Sequence, residues 1–383
     1  MSTPYQTIIY HKPTGAILKV APNQYISSKR HLANLVHRPH WKDVSFIYFP
    51  FPLEIDLGKH RVSQPSFPGP PYLTDASGSN LLVLALYASS KKLLIESKTI
   101  LYSFEGGLGD YINEANVISY ILSQHPDKAI YVSGTSDRFK LISCFPGFER
   151  VTFSTRAKCI AARMPSVDFT RISSFNYNYP PFGKRGVYAS LAGMDPAFPQ
   201  AKLSLPKESL EWAEQQWLKL PGKKTQLRIS LHTRSGEPNA KTWPWKYTRE
   251  LVDLLRAKYS GCFALFGGHG QESVEAKDTI NGVGTYDWVQ VASLLKTSHL
   301  VICIDSAIMH IGHHLDIPTL SLWGPTAASY ILAKNHGTPV IESKVECHPC
   351  GNYGCRKGDC MQSITPAQVL KKAATIIKLL PGS

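Results

Sequence analysis

The chain has 383 residues, too many for one ordinary core, and 43% of them are hydrophobic, a globular composition. Its 42 Lys and Arg outweigh 28 Asp and Glu, for a formal charge of +14. Such a balance calls for an anionic partner, but the basic residues are scattered without a zinc-finger spacing or an aromatic-rich basic repeat, so nucleic acid is not expected.

The opening residues MSTPYQTIIYHKPTG lack a basic segment followed by an apolar one, so no secretory signal is expected. The longest apolar run, Leu81–Tyr87, falls far short of the roughly 18 residues that span a bilayer. The expected location is the cytoplasm, with peripheral contact to an anionic inner membrane face.

Residues 1–97 carry short apolar runs at Gln6–Tyr10, Ala16–Val20 and Val44–Phe51, separated by Pro, Gly and Asn. They predict a small β-rich extension, with Pro65–Pro71 as a loop. At Thr99 the pattern changes. Thr99–Phe104 predicts a strand, Glu105-Gly-Gly-Leu-Gly-Asp110 a tight turn, Tyr111–Ser123 an amphipathic helix and Ala129–Val132 the next strand. This order begins a doubly wound α/β domain. The glycine loop is too short for a dinucleotide fingerprint. Asp110 falls at the carboxyl end of the first parallel strand, where open sheets bind ligands, although capping the next helix explains it equally. Asn176–Phe182 predicts a surface loop, Ser209–Leu218 a helix and Leu220–Lys224 a linker.

A second α/β domain follows. Strands are expected at Gln226–Leu231 and Cys262–Phe266, helices at Tyr247–Tyr259, Gln271–Lys277 and Trp288–Leu295, and a polar loop over His232–Trp245. Arg234 and Lys241 in that loop read first as solvated charges, and Trp243 and Trp245 as packing residues. Val301–Ile304 then leads through Asp305-Ser306, good N-cap residues, into a helix marked by Ile308, Ile311, Gly312 and Leu315. Thr319–Trp323 predicts the closing strand and Gly324-Pro325 a turn. Backbone N–H groups after Asp305 form a natural phosphate seat. His310 reads as a buried histidine, and His313 and His314, being adjacent, do not form a zinc pair.

Of eight cysteines, Cys144, Cys159, Cys262 and Cys303 are isolated and read as buried apolar residues. Cys347, Cys350, Cys355 and Cys360 lie close together in a Gly- and Asn-rich loop. In a reducing compartment this grouping favours one tetrahedral ion, zinc by default or iron, in a structural role, with disulfides as the alternative.

Four segments together resemble the lipopolysaccharide heptosyltransferase family, glycosyltransferase family nine. They are Gly109-Asp110; Thr233-Arg234 with Lys241-Thr-Trp-Pro244; Asp305–His310 with Pro318-Thr319 and Trp323–Thr326; and Cys347–Cys350 through Cys360-Met361 and Ile364–Pro366. The likeness covers about residues 98–380. Some protein-modifying members carry an N-terminal extension and a cysteine-bound iron. The resemblance implies an α/β fold of GT-B type, with two Rossmann-like doubly wound domains facing a cleft. The chain then reads as a β-rich extension (1–97), an acceptor domain (98–210) and a nucleotide-sugar donor domain (211–383).

The implied activity is inverting transfer of a sugar, heptose from ADP-heptose, to a hydroxyl of a lipopolysaccharide core or a protein. A non-catalytic nucleotide-sugar or glycan-binding module of the same fold is the alternative. The resemblance makes Asp110 the general base, with Lys241 and Thr233 on the donor phosphates. Arg234, Asp305, Ser306, Ala307, Ile308 and His310 complete the donor site, with Glu272 toward the ribose. Ala307 departs from the family's usual glycine, and no catalytic metal is implied.

Overall fold

The structure, a computed structural model, describes residues 6–11, 16–20, 44–49, 90–104, 106–169, 183–195, 197–221, 226–236, 240–332 and 337–380. The expected loops at Pro65–Pro71 and Asn176–Phe182, and most of the Leu220–Lys224 linker, lie outside these. In chain order the main elements are β1 (Gln6–His11), β2 (Ala16–Val20), β3 (Val44–Phe49), β4 (Thr99–Ser103), α1 (Leu108–Gln124), β5 (Ala129–Ser133), β6 (Thr152–Phe153), β7 (Ser166–Asp168), α2 (Gly183–Leu191) and α3 (Lys207–Leu218). There follow β8 (Leu227–His232), α4 (Trp245–Lys258), β9 (Gly261–Gly267), β10 (Thr279–Val283), α5 (Trp288–Lys296), β11 (Leu300–Ile304), α6 (Ala307–His314), β12 (Thr319–Trp323), β13 (Val340–Glu342) and α7 (Pro366–Ile377).

Two compact units emerge. One holds Met1–Phe104, Gln124–Gly134 and Thr152–Phe198; the other holds Glu105–Ser123, Thr135–Val151 and Pro199–Ser383. In the first, β1 pairs antiparallel with β2 and β3, as the short apolar runs predict. A separate parallel sheet has the order β6-β5-β4-β7. Ile100, Leu101, Tyr102, Ile130, Val132 and Val167 of this sheet are buried, and the rings of Tyr102 and Tyr188 both pack on Phe169, at 5.5 and 5.4 Å between centroids.

The second unit is built on a six-stranded parallel sheet of order β10-β9-β8-β11-β12-β13. Alternate side chains (Ile229 and Leu231, Phe263 and Leu265, Ile302 and Ile304, Leu320 and Leu322) form one core with Leu251 and Leu255 of α4 and Val369 and Ala373 of α7. Intervening residues such as Ser230, Ala264, Val301 and Ser321 are equally buried on the other face. Burial on both faces explains why β9 and β11 read as continuous apolar runs, while β8 and β12 place small Ser230 and Ser321 on the second buried face.

The expected helix over Gln271–Lys277 does not form: 271–276 has no regular structure. Its Glu, Ala and Lys favour a helix locally, but only Val274 offers an apolar side chain to the core, too little to hold one turn against the sheet. The strand β10 follows instead, at the edge of the sheet, and its Asn-Gly content hides it from an apolar-run reading.

Candidate functional site

The strand order of the second unit reverses between β8 and β11. From β8 the chain crosses to β9 on one side, and from β11 to β12 on the other. Such a switch point leaves a crevice at the carboxyl ends of the two strands. Thr233 and Arg234 follow β8 there, and Asp305 and Ser306 follow β11. Lys241 reaches in from the loop after β8, placing Nζ 2.7 Å from the buried Asp305 Oδ2 in an ionic contact outside hydrogen-bond angles. A carboxylate this buried requires such a partner.

The loop that carries Lys241 is pinned at both ends. Thr233 is buried, its Oγ1 accepting from Thr248 Oγ1 at 2.8 Å and its carbonyl accepting from the Trp243 N–H at 2.8 Å. Trp243 is fully buried and its Nε1 donates to the Ile364 carbonyl, 2.8 Å. Arg234 pairs with Glu272, so these two expected donor residues engage each other.

At the start of α6, Ser306 occupies the N-cap position, as its residue type predicts, yet its hydroxyl does not cap the helix. Its Oγ instead lies 3.1 Å from Nδ1 of His232, the last residue of β8. Burial pushes the His232 imidazole down to about 4, so it is neutral at physiological pH. The Met309 N–H turns back to the Ser306 carbonyl, 3.2 Å, which leaves the Ala307 and Ile308 N–H groups as helix-start donors with the positive end of the helix dipole behind them.

Asp110 comes to the same place through α1. It lies in the first turn, and its Oδ2 accepts from the Gly107 N–H at 2.8 Å, one half of a capping box. Gly109 sets the approach: a Cβ there would sit 2.9 Å from His310 Cδ2 and 3.7 Å from the Ala307 Cα. Only a residue without a side chain lets the first turn of α1 close on the first turn of α6. Asn113 Nδ2 donates to the Gly109 carbonyl at 2.8 Å and lies 3.5 Å from Nδ1 of the buried His310. Arg138 holds the turn from outside, donating to the Gly106 carbonyl and stacking over the Tyr111 ring at 4.7 Å.

The four grouped cysteines lie on a segment, 347–361, that forms a strap between the turn after β12 and the loop after β8. His348 Nδ1 donates to the Gly324 carbonyl at 2.6 Å, and the Gly351 N–H donates to the Pro325 carbonyl at 2.8 Å. Gly324 accepts this strap closely, since a Cβ there would lie 2.7 Å from Met361 Cγ and 3.2 Å from Cys360 Sγ. On its other edge the strap meets the loop that carries Lys241. The Ala240 N–H donates to the Tyr353 carbonyl at 2.9 Å, and Lys241 Nζ sits 4.6 Å from the Tyr353 ring centroid. Burial pushes the Cys360 thiol up, and the charges of Cys350, Cys347 and Cys355 act in the same direction. Among the described residues, however, no three His, Cys, Asp or Glu side chains converge closely enough to hold an ion. The donor set suits a thiolate site in chemistry, while its packing here does not assemble one.

Sequence reasoning missed His232, Asn113, Arg138 and Tyr353. His232 had a usable signal, as the last residue of a strand that opens the switch point. Tyr353 sits between Cys350 and Cys355 with no spacing signal of its own.

Residues 186–361 match the model of glycosyltransferase family 9 (heptosyltransferase). Lipopolysaccharide heptosyltransferase 1 of Pseudomonas aeruginosa is 26% identical over 121 residues, 30% of this chain, and the match spans only 34% of that relative. Among solved structures, the E. coli ADP-heptose lipopolysaccharide heptosyltransferase II is similar over 73% of this chain and 99% of its own, with a TM-score of 0.56 and 16% identity. The iron-containing dodecameric glycosyltransferase TibC from enterotoxigenic E. coli is similar over 99% of this chain and 92% of its own, with a TM-score of 0.57 and 15% identity. TibC has also been solved in complex with ADP-D-beta-D-heptose, and that structure gives a TM-score of 0.56 at 13% identity. These structural likenesses establish the GT-B-like α/β fold.

Proposed function

We propose, from the match of residues 186–361 to the model of glycosyltransferase family 9, that this chain is an inverting glycosyltransferase transferring heptose from ADP-heptose to an acceptor hydroxyl. The observation that carries this reading is the convergence at one switch point of a carboxylate on α1, a lysine–aspartate pair and a helix start. In the reaction an acceptor hydroxyl gives its proton to the Asp110 carboxylate as its oxygen attacks the sugar C1. The C1–O bond to the diphosphate breaks on the opposite face, and the leaving ADP carries away the electron pair. Lys241 and the N–H groups of Ala307 and Ile308 answer the charge that develops on that leaving group. When Lys241 turns to the diphosphate, Asp305 is free to accept hydrogen bonds from sugar hydroxyls. Thr233 holds the β8 end of the loop, and Arg234 with Glu272 flanks the ribose. His310 supports the contact between α1 and α6.

The acceptor is a lipopolysaccharide core sugar or a protein hydroxyl. The division into an extension (1–97), an acceptor domain (98–210) and a donor domain (211–383) belongs to this reading. So does a structural zinc or iron held by Cys347, Cys350, Cys355 and Cys360. No step of the transfer passes through that ion.

The test is a mass-spectrometric transfer assay with ADP-heptose against lysate acceptors, run on the wild type and on Asp110→Asn. The expected result is a heptosyl mass added by the wild type, and turnover lowered at least about a hundredfold in Asp110→Asn, with ADP affinity within about threefold. Full activity in Asp110→Asn would remove the assigned base. Nucleotide-sugar binding without turnover in the wild type would make the chain a binding module.

A further inference from the structure

We propose that Tyr353, on the cysteine-bearing strap, is a positioning residue for the donor diphosphate: its ring fixes the Lys241 ammonium at the crevice. The inference rests on the donor-site reading given under Proposed function and adds to it a residue from outside the loop that carries the lysine.

A lysine side chain has four rotatable bonds and no preferred direction of its own. Here Nζ is held from two sides, by Asp305 Oδ2 at 2.7 Å and by the Tyr353 ring with its centroid at 4.6 Å. The second distance lies within the range in which a cation is attracted to a ring face. The two partners act differently when a diphosphate arrives. The carboxylate competes with phosphate for the ammonium and must give it up. The ring is uncharged, so it keeps its attraction without neutralising the charge that the phosphate needs. Lys241 is only 19% exposed, so this contact is poorly screened by water.

The ring is not a chance surface neighbour, because its backbone is fixed on both sides. The Tyr353 carbonyl accepts from the N–H of Ala240, the residue before Lys241. Two residues earlier, the Gly351 N–H bonds the Pro325 carbonyl, and His348 bonds the Gly324 carbonyl. The strap therefore ties the turn after β12 to the loop after β8, with the lysine under the ring at the join.

The test is a double-mutant cycle read by calorimetric titration with ADP at fixed ionic strength. Tyr353→Phe keeps the π face and should bind ADP within about twofold of wild type. Tyr353→Leu should weaken it about three- to tenfold. In a Lys241→Met background the same Tyr353→Leu change should cost less than about twofold, which a merely structural role of the tyrosine would not produce. Unchanged ADP affinity in Tyr353→Leu would overturn the inference, as would an equal loss with and without the lysine. If Lys241→Met alone leaves ADP affinity unchanged, the donor-site reading itself fails, a different outcome from loss of the tyrosine's role alone. Should Tyr353→Leu not fold, Tyr353→Met fills similar volume without a ring and carries the same comparison.

Discussion

At the scale of single residues, the crevice owes its character to groups that neutralise or hold one another. His232 is an instance with a measurable consequence. Its imidazole titrates at about 4 in the folded protein because burial disfavours the charged form, against an ordinary 6.5 in the unfolded chain. Between those values the unfolded chain binds a proton that the folded one does not. Stability contributed by the neutral imidazole is therefore full above pH 6.5 and is lost as the pH falls toward 4. Urea unfolding across that window should show a smaller loss for His232→Gln than for the wild type; parallel curves would remove the histidine as a source of acid lability. The residues of the loop after β8 were legible only in part. Thr233, Arg234 and Lys241 carry a recognisable order, but their partners Thr248, Glu272 and Asp305 lie on other elements, and chain spacing has no access to those distances. Ser306 shows the limit most clearly: its type predicts a cap, and the neighbouring His232 diverts its hydroxyl.

At the scale of elements, the apolar runs were readable wherever a strand is buried on both faces. β11 and β12 show no exposed residue; β11 was legible as an uninterrupted hydrophobic stretch, and β12 by its Leu, Leu and Trp. β10 was not, since an edge strand needs fewer apolar residues, and 271–276 shows that helix-favouring composition without an apolar face does not make a helix. The strap was legible as four cysteines and not as a bridge, because its hold on Gly324, Pro325 and Ala240 runs through backbone groups that any sequence carries. Its behaviour on mutation follows from that construction. If the four thiols take up zinc or iron, Cys350→Ser should lower both the melting temperature and the metal content measured by mass spectrometry. In protein that remains folded, turnover should change less than stability does. Unchanged melting and metal content would leave the cysteines without that role.

At the scale of the whole molecule, the formal charge of +14 is the broadest feature, and no helix among the described residues is long and apolar enough to cross a membrane. A charge of this sign attracts the chain to anionic surfaces through a field that salt screens within about 8–10 Å. Sedimentation with phosphatidylglycerol vesicles should therefore carry the protein down at low ionic strength and release it as salt rises, while phosphatidylcholine vesicles should leave it in solution. Equal recovery with both lipids would detach the charge from any membrane role. The division into two compact units has its own consequence for anyone building hybrids of this chain. By sequence α1 follows the first strand of the parallel sheet in the other unit, yet by contact it belongs with α6, through the space that Gly109 leaves for His310. A chimaera joined just after α3 would thus separate a helix from its own counterpart and set Gly109 against a foreign side chain. A transplant that keeps the joint must carry Glu105–Ser123 along with the carboxyl-terminal half, as two pieces of one graft.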